Sequence, residues 1–478
     1  YSDLRANLFM TKSEAVDAYE ASPKWLKDLC DAFAAGINYY LFTHPQVKPD
    51  LLTHFEPWMP FYFSEGSIGG DIERVSISKI KAFYEGDQPL SIVGNDLQAM
   101  INDYLMEPKG SNGIAIGREL TSSGNALLLI NPHTSFFFRG EVHVVSEEGL
   151  NAYGAVTWGQ FFVYQGFNEK LGWMHTSTYT DVIDEFVEKV HEKEGVYYYQ
   201  YGDEIRPISS HNVKLRYKKG GNIREKSITA YRSHHGPITH MTDDKWTSTA
   251  LMWKPIQALS QSYIRTKIHN LEGFNKMMDM RTNSSNNTVY ADAQGNIAYY
   301  HGNFIPKRDV KFDYSKPVDG SNPSTDWKGL HSLAEAIGVI NPPNGWIQNC
   351  NSTPFTSAGE FSPKKENYPS YMSRDEENFR SLHAIRLLKE SVDMDLDKLI
   401  KLAYDPYLPA FEILIPGLIR AYDQSEKEAA LSAPIEILRN WDFAVSKESV
   451  AMTLAHYYGT NCLRVGDRSD DLKFIELV

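Results

Sequence analysis

The sequence predicts an α+β protein in which two helical blocks flank a block of β-strands. Apolar residues recur with the helical period before residue 86 and again after about residue 373. Between residue 111 and about residue 300 they instead alternate or form short runs separated by turn residues. Gln294-Gly295-Asn296, between two such runs, is typical of a hairpin turn. Strands bounded by helical blocks indicate layers of helix and sheet around a common core.

The changes of pattern divide the chain into four segments. Residues 1–86 are predicted to be helical, and residues 87–110 are polar, contain Gly and Pro, and are predicted to be a linker. Residues 111–355 hold the predicted strands, and residues 356–478 are predicted to be mainly helical. Within the last segment, three prolines are expected to break the helical pattern, namely Pro406, Pro409 and Pro416.

Composition narrows the classes of partner. The 478-residue chain carries a net charge of −13, which repels nucleic-acid phosphates, so nucleic acid is not an expected partner. No run of 18 apolar residues occurs, so no membrane-spanning segment is expected. The three cysteines lack any paired spacing, which argues against a zinc site or a disulfide scaffold. The pair His234-His235 has no third ligand at metal spacing and is interpreted as two loop residues.

The pair Gly110-Ser111 stands at the junction between the linker and the first strand. A serine hydroxyl held in a strained turn can attack the carbonyl that precedes it, and cleavage then frees the serine α-amine. That amine, with a reference pKa of about 7.7–8.0, can serve as general base for its own hydroxyl. From these residues alone, an ordinary serine at the start of a strand is the favoured alternative.

A series of ordered blocks resembles the penicillin acylase family of N-terminal-nucleophile hydrolases, most closely its acyl-homoserine lactone and aculeacin acylase branch. The resemblance is clearest over residues 111–355. It is carried by Ser111–Gly117, Leu127–His133, Gly166–Asn168 with Leu171–Thr176, His235–Pro237, Asn287-Thr288 with Ala291–Ile297, Asp326–Leu330, Asn341–Pro343 and Gly345–Asn351. It implies a four-layer αββα sandwich with flanking helical segments.

The resemblance also implies roles for individual residues. Ser111 corresponds to the nucleophile, freed by cleavage after Gly110. The oxyanion hole corresponds to the backbone N–H of Ser177 and the side chain of Asn287, since fixed donors stabilise the charge that develops on the amide oxygen. His133 falls beside the nucleophile, although a histidine after Asn-Pro is also typical of a turn. Arg308 corresponds to an arginine that supports the site electrostatically, the alternative being a solvated surface charge.

Some members of the family carry a structural calcium near the site. Asp181 and Asp184 correspond to two of its carboxylate ligands, with Asp71 as a third, and such oxygen ligands suit Ca²⁺. The alternative is an acidic helix start. No cofactor is required for the reaction itself. The resemblance further implies an apolar acyl pocket, for which aromatic residues are candidates although such clusters more often form core: Phe61, Tyr62, Phe63, Phe136 and Phe137.

The implied activity is hydrolysis of a linear amide through an acyl ester on Ser111. The expected substrate is a small-molecule acyl amide, an N-acyl-homoserine lactone or a similar compound. Residues 1–86 and the part after Ser111 would be the small and large subunits of one precursor, with residues 87–110 removed, in the periplasm or outside the cell. Two alternatives stay open: an acylase for penicillin or cephalosporin side chains, and an uncut, non-catalytic binding protein of the same fold.

Overall fold

The computed structural model describes residues 1–50, 52–62, 66–85, 110–134, 139–178, 180–424 and 429–465. The helices are α1 (Ser2–Phe9), α2 (Lys12–Glu20), α3 (Lys24–Thr43), α4 (Met59–Tyr62), α5 (Gly66–Arg74), α6 (Ile77–Glu85), α7 (Pro255–Arg265), α8 (Leu271–Met278), α9 (Phe379–Lys389), α10 (Leu396–Ala403), α11 (Phe411–Gln424), α12 (Ala429–Arg439) and α13 (Val450–Val465). In the part of the chain that the structure describes, none of these helices combines the length and apolar character needed to traverse a bilayer.

The described strands lie between residues 110 and 349. They are β1 (Gly110–Ile116), β2 (Leu127–His133), β3 (Arg139–Ser146), β4 (Leu150–Thr157), β5 (Gln165–Asn168), β6 (Leu171–Ser177), β7 (Asp184–Glu188), β8 (Val190–Lys193), β9 (Val196–Tyr201), β10 (Glu204–Pro207), β11 (Ser209–Lys219), β12 (Asn222–Arg232), β13 (Ile238–Thr242), β14 (Lys245–Ala250), β15 (Asn286–Asp292), β16 (Ile297–His301), β17 (Val318–Asp319), β18 (Gly338–Ile340) and β19 (Trp346–Asn349). Helices α7 and α8 separate β14 from β15.

Two antiparallel sheets form the centre of the molecule. One has seven strands in the order β18-β16-β15-β6-β5-β4-β3, and the other has three in the order β19-β1-β2. Side chains alternate between the two faces of a strand, so Val289 and Ala291 of β15 pack toward the three-stranded sheet while Tyr290 points away from it. Ala115 of β1 and Ile347 of β19 close this interface from the other side.

Helices cover the outer faces of both sheets. Phe274 and Met278 of α8 pack on Trp173 and Tyr290 of the seven-stranded sheet. Leu388 of α9 and Leu399 of α10, in turn, pack with residues of the three-stranded sheet, among them Ile114, Ile116 and Trp346. The order helix, sheet, sheet, helix confirms the predicted αββα sandwich.

The remaining described strands form three further sheets. One has the order β13-β14-β7-β17, another has the order β10-β9-β8, and β11 pairs with β12 in a long hairpin. The upstream helices pack here, with Leu4 and Leu8 of α1 against Val213 and Ile228 of the hairpin. The helical segment predicted for residues 1–86 therefore packs into the same hydrophobic cores as the strands.

Two details differ from the sequence prediction. The expected helix break at Pro416 is wrong, because this proline lies inside α11. The helix keeps its apolar packing through Phe411 and Ile415, which offsets the lost backbone hydrogen bond. The linker was predicted to end at Gly110, but Gly110 is already the first residue of β1. Residues 86–109 lie outside the described part of the chain.

Candidate active site

Ser111 is the second residue of β1, the central strand of the three-stranded sheet. The strand register pairs Ser111 with Pro132 and Gly110 with His133 of β2. The Ser111 Oγ donates to the carbonyl oxygen of Gly110 at 2.6 Å and accepts from the backbone N–H of His133 at 3.4 Å. The serine is buried, at 5% exposure. Its hydroxyl therefore lies directly beside the carbonyl group that self-cleavage would attack.

Gly110 fits this place because it has no side chain. Its φ of +149° belongs to backbone that other residues rarely adopt. A Cβ atom here would lie 3.0 Å from an Arg380 guanidinium nitrogen and 3.2 Å from Asn351 Oδ1. The space beside the Gly110–Ser111 bond is thus filled by polar side chains that also hold Ser111.

Asn351 joins Ser111 to the end of β6. Its Oδ1 accepts from the Ser111 backbone N–H at 2.5 Å, and its Nδ2 donates to the Ser177 carbonyl oxygen at 2.8 Å. Asn351 has a positive φ of 60°, a conformation in which asparagine is several-fold enriched. The structure thereby brings together Ser111 and Ser177, as predicted. Asn351 itself was not singled out, although it ends one of the blocks that resemble the family.

Arg380 supplies the positive charge next to Ser111. Its guanidinium donates to the Ser111 carbonyl oxygen at 3.1 Å, to Asn112 Oδ1 at 2.8 Å and to Asn351 Oδ1 at 3.1 Å. Sequence reasoning missed this residue because it lies 269 positions downstream, on α9. On a helix with an ordinary amphipathic pattern, one more arginine gives no signal of a site.

Asn287 is fully buried on β15, where the register pairs it with Thr176 of β6. Its Oδ1 accepts from the Tyr299 hydroxyl at 2.8 Å and lies 2.7 Å from Nδ1 of His301. Its Nδ2 donates to Thr176 Oγ1 and to Asn349 Oδ1, both at 3.1 Å. The carboxamide is therefore held in one orientation, with its donor group toward the residue that precedes Ser177.

His301 contacts the Asn287 oxygen as a neutral ring. Burial lowers the pKa of His301 to about 3, with only a backbone hydrogen bond at Met372 opposing the shift. A neutral ring carries one N–H, and Nδ1 faces the Asn287 oxygen, which can only accept. Nδ1–H consequently donates to Asn287 Oδ1. On the other side, His301 Nε2 lies 3.3 Å from Thr180 Oγ1 and 3.7 Å from an Asp375 carboxylate oxygen.

His133 lies beside Ser111, but its backbone rather than its ring makes the contact. The ring Nε2 lies 2.9 Å from Asn131 Oδ1, which also accepts from Asn112. Burial, together with the positive charge of Arg380, lowers the pKa of His133. The ring is therefore neutral near pH 7, and Asn131 sets its direction.

Arg308 is buried in an ion-pair cluster rather than solvated. Its Nε and one terminal nitrogen donate to the two Asp184 oxygens at 2.7 and 3.0 Å, and another terminal nitrogen lies 3.6 Å from Asp181. Arg374 also donates to Asp181, at 2.5 Å. In the described part of the chain, the hydrogen bonds of Arg308 do not reach Ser111, so its predicted support of the site would act only through the cluster.

The residues predicted to bind calcium do not fit that ion. Two guanidinium groups occupy the carboxylates of Asp181 and Asp184. Asp71 instead accepts from the Ser284 hydroxyl, and burial raises the pKa of Asp71, which favours its neutral form. Among the described residues, the three aspartates do not each bring an oxygen within 4.8 Å of the others. The two arginines already supply the positive charge that a calcium ion would bring to these carboxylates. The expectation of a calcium site at these residues is therefore corrected.

The predicted acyl-pocket residues separate into three groups. Phe61 is fully buried and packs in a core with Leu26 and Phe162, so the pocket assignment for it is wrong. Tyr62 lines an apolar pocket of about 590 Å³ together with Phe33, Trp58, Met59 and Trp158. A second cavity, of about 210 Å³, lies between β1 and the C-terminal helices and is lined in part by Asn112 and Arg380. The other three candidates lie outside the described residues, namely Phe63, Phe136 and Phe137.

Ser111 lies near the start of the central strand of the three-stranded sheet, within an αββα sandwich. Comparison with known proteins assigns this chain to a family. A family profile for penicillin amidase matches residues 1–469. The chain therefore belongs to the penicillin amidase family.

Individual relatives agree with this assignment. Penicillin G acylase of Escherichia coli is 26% identical over 286 residues, which cover 57% of this chain and 32% of that protein. Acyl-homoserine lactone acylase PvdQ of Pseudomonas fluorescens is 22% identical over 94% of this chain and 63% of its own. A solved thermostable penicillin G acylase from Alcaligenes faecalis superposes with a TM-score of 0.59 at 20% identity, covering 76% of this chain and 66% of that one. The chain spans about a third to two thirds of the length of these curated relatives.

Proposed function

We propose that this protein hydrolyses a linear amide and that Ser111, once freed from Gly110, is the nucleophile. The observation that carries the proposal is the position of the Ser111 hydroxyl, 2.6 Å from the carbonyl oxygen of Gly110, in a buried site. Attack of Oγ on the Gly110 carbonyl carbon would replace the peptide bond with an ester. Water would then release the Gly110 carboxylate and leave Ser111 with a free α-amine. Residues before and after the cut would become two subunits of one precursor.

The contacts of Ser111 suit the base that this chemistry needs. After cleavage the Ser111 nitrogen would keep Asn351 Oδ1 as an acceptor, which directs the amine lone pair away from that oxygen. The guanidinium of Arg380, which contacts the same Asn351 oxygen, would lower the amine pKa and keep more of it unprotonated near neutral pH. The amine can then take the hydroxyl proton, directly or through one water, as Oγ attacks the substrate carbonyl.

The remaining steps of the reaction would depend on hydrogen-bond donors that the protein already holds in place. Negative charge on the substrate oxygen would be stabilised by the Asn287 carboxamide and the Ser177 N–H, as expected for this family. Tyr299 and His301 hold Asn287 Oδ1 and so fix the direction of its Nδ2. The substrate oxygen would replace one of the two acceptors that Nδ2 now has, Thr176 Oγ1 or Asn349 Oδ1. The departing amine takes the proton from the Ser111 ammonium. Water then hydrolyses the acyl ester, which releases a carboxylic acid and restores the serine.

For the substrate we propose an N-acyl-homoserine lactone or a similar acyl amide. Relatives named acyl-homoserine lactone acylases match 70–95% of this chain, whereas the penicillin G acylase of E. coli matches 57%. The apolar pocket of about 590 Å³ could hold an acyl chain. Hydrolysis of a long-chain acyl-homoserine lactone and of a phenylacetyl amide should be compared at equal concentration. A higher kcat/KM for the phenylacetyl amide would favour penicillin-type side chains instead.

Ser111→Ala tests the proposal itself, with Ser227→Ala as its matched control. Ser111→Ala removes the attacking oxygen and should abolish hydrolysis. Ser227 is an exposed residue of β12 without an assigned role, so Ser227→Ala should retain activity within about threefold of wild type. Hydrolysis by folded Ser111→Ala at the wild-type rate would refute Ser111 as the nucleophile.

A further inference from the structure

A second polar cluster lies outside the Ser111 site, on the loop between β12 and β13. His234 and His235 belong to this loop, and Asp326 joins them from 91 residues downstream of His235. One ligand atom from each of the three lies within 4.8 Å of the others. The Nε2 atoms of His235 and His234 are 3.1 and 3.9 Å from the same Asp326 oxygen, Oδ1. The third ligand that the local sequence lacks is therefore supplied by the fold.

His235 is oriented by a buried carboxylate on its far side. Its Nδ1 lies 2.9 Å from Oε1 of Glu188, a fully buried residue at the end of β7. The same oxygen accepts from the hydroxyls of Ser233 and Ser248 at 2.6 and 2.8 Å. The His235 ring also stacks on Phe186, with ring centroids 3.9 Å apart and planes 4° from parallel. These contacts hold Nδ1 on Glu188 and turn Nε2 toward Asp326.

The other two members of the cluster have outer partners as well. His234 Nδ1 lies 2.9 Å from the Tyr199 hydroxyl, which leaves its Nε2 on the side of Asp326. The Tyr201 hydroxyl donates to Asp326 Oδ2 and so leaves Oδ1 for the two rings. Histidines and carboxylates that bind metals are held by such outer hydrogen bonds, which fix the tautomer and the direction of each ligand atom.

The spacing and exposure of the three atoms suit a small transition-metal ion. Tetrahedral bonds of about 2.0–2.2 Å place neighbouring ligand atoms roughly 3.4 Å apart, a value between the two measured separations. The His235 side chain is 5% exposed, whereas His234 and Asp326 are 29% and 31% exposed, so one side of the cluster is open to solvent.

We propose that His234, His235 and Asp326 form a binding site for a divalent transition-metal ion of the zinc type. The ligands are two imidazole Nε2 atoms and one carboxylate oxygen, with water at the remaining position. The ion would bind between the two Nε2 atoms and Asp326 Oδ1. It would also tie the β12–β13 loop to the segment after β17. The competing explanation is a network of hydrogen bonds that binds no ion.

Calorimetric titration of the chelator-stripped protein with Zn²⁺ tests this proposal. We expect one saturable equivalent per chain. His234→Ala and Asp326→Asn should each weaken binding by more than about 10-fold, and Glu188→Gln by about 10-fold, because ligands and their outer partners both contribute. His143→Ala is the matched control, because this exposed histidine of β3 contacts Asn151 and Tyr153 and none of the three proposed ligands, and should leave the affinity unchanged.

Co²⁺ provides a second readout on unaltered protein. A visible absorption band of a site with nitrogen and oxygen ligands should appear and saturate at one equivalent, and Zn²⁺ should displace it. This measurement keeps the test valid if Asp326→Asn, which also loses the Tyr201 contact, fails to fold. Absence of a saturable equivalent in the wild type, or unchanged affinity in folded His234→Ala, would overturn the proposal in favour of the hydrogen-bond network.

Discussion

Two polar clusters in this molecule are built from different chemical groups. Around Ser111 and Asn287, the buried partners are mainly carboxamides, hydroxyls and a neutral histidine, with one guanidinium at the edge. Around His235, two carboxylates face one imidazole from opposite sides. The first set offers hydrogen-bond donors without a full negative charge, which suits a reaction that creates an oxyanion. The second set is acidic and suits a cation.

Among the variants that distinguish the Ser111 cluster from the His235 cluster, Asn287→Ala is expected to have the largest effect on activity. Loss of one oxyanion donor should lower kcat for the acyl amide by about 10²–10³-fold, with a much smaller change in KM. Steady-state kinetics on protein that has been checked for folding by circular dichroism would measure this. Zinc binding should not change. A decrease in kcat of less than threefold would contradict the assignment of Asn287 to the oxyanion hole.

A smaller effect is expected when Arg380 loses its charge. In Arg380→Met the Ser111 amine would have a higher pKa, because a neighbouring positive charge is gone. Since the unprotonated amine is the base, the acid limb of the pH profile of kcat/KM should move to higher pH. Arg386→Met, on the same helix but paired with Glu412 at the surface, is the matched control and should leave the profile in place. An unmoved acid limb in Arg380→Met would contradict the assigned role.

The smallest effect concerns stability and involves His301. The unfolded chain binds a proton on this histidine below about pH 6.5, whereas the folded protein does so only near pH 3. Stability should therefore be lost as pH falls from about 6.5 toward 3. His301→Gln should lessen this loss by roughly 2–3 kcal/mol between about pH 7 and about pH 4.5, measured by urea unfolding. His143→Gln, at an exposed position, should show the wild-type dependence.

Local pattern predicted the α+β arrangement of helices and strands and drew attention to Gly110-Ser111. The αββα layering and the role of Ser111 came from the resemblance to a family, and the role of Ser111 stays a prediction. The period of the apolar residues distinguished helices from strands, and the junction at Gly110-Ser111 was visible because a polar linker meets an alternating strand. Asn287 and Ser177 were found through the resemblance to a family. The structure adds that both lie at the ends of neighbouring strands and that Asn351 links Ser177 to Ser111.

Contacts between distant segments could not be predicted in the same way. Arg380 reaches Ser111 across 269 residues, and Asp326 completes the histidine pair from the far side of a sheet. The calcium expectation failed for a related reason. Carboxylate spacing was visible in the sequence, but the arginines that neutralise it lie more than 120 residues away.

The central claim is that Ser111 becomes an N-terminal residue, and intact mass analysis with N-terminal sequencing tests it most directly. Freshly purified wild-type protein should give two fragments, one of which begins Ser-Asn-Gly-Ile, while Ser111→Ala stays as one chain. A single intact wild-type chain that nonetheless hydrolyses an acyl amide would contradict the account.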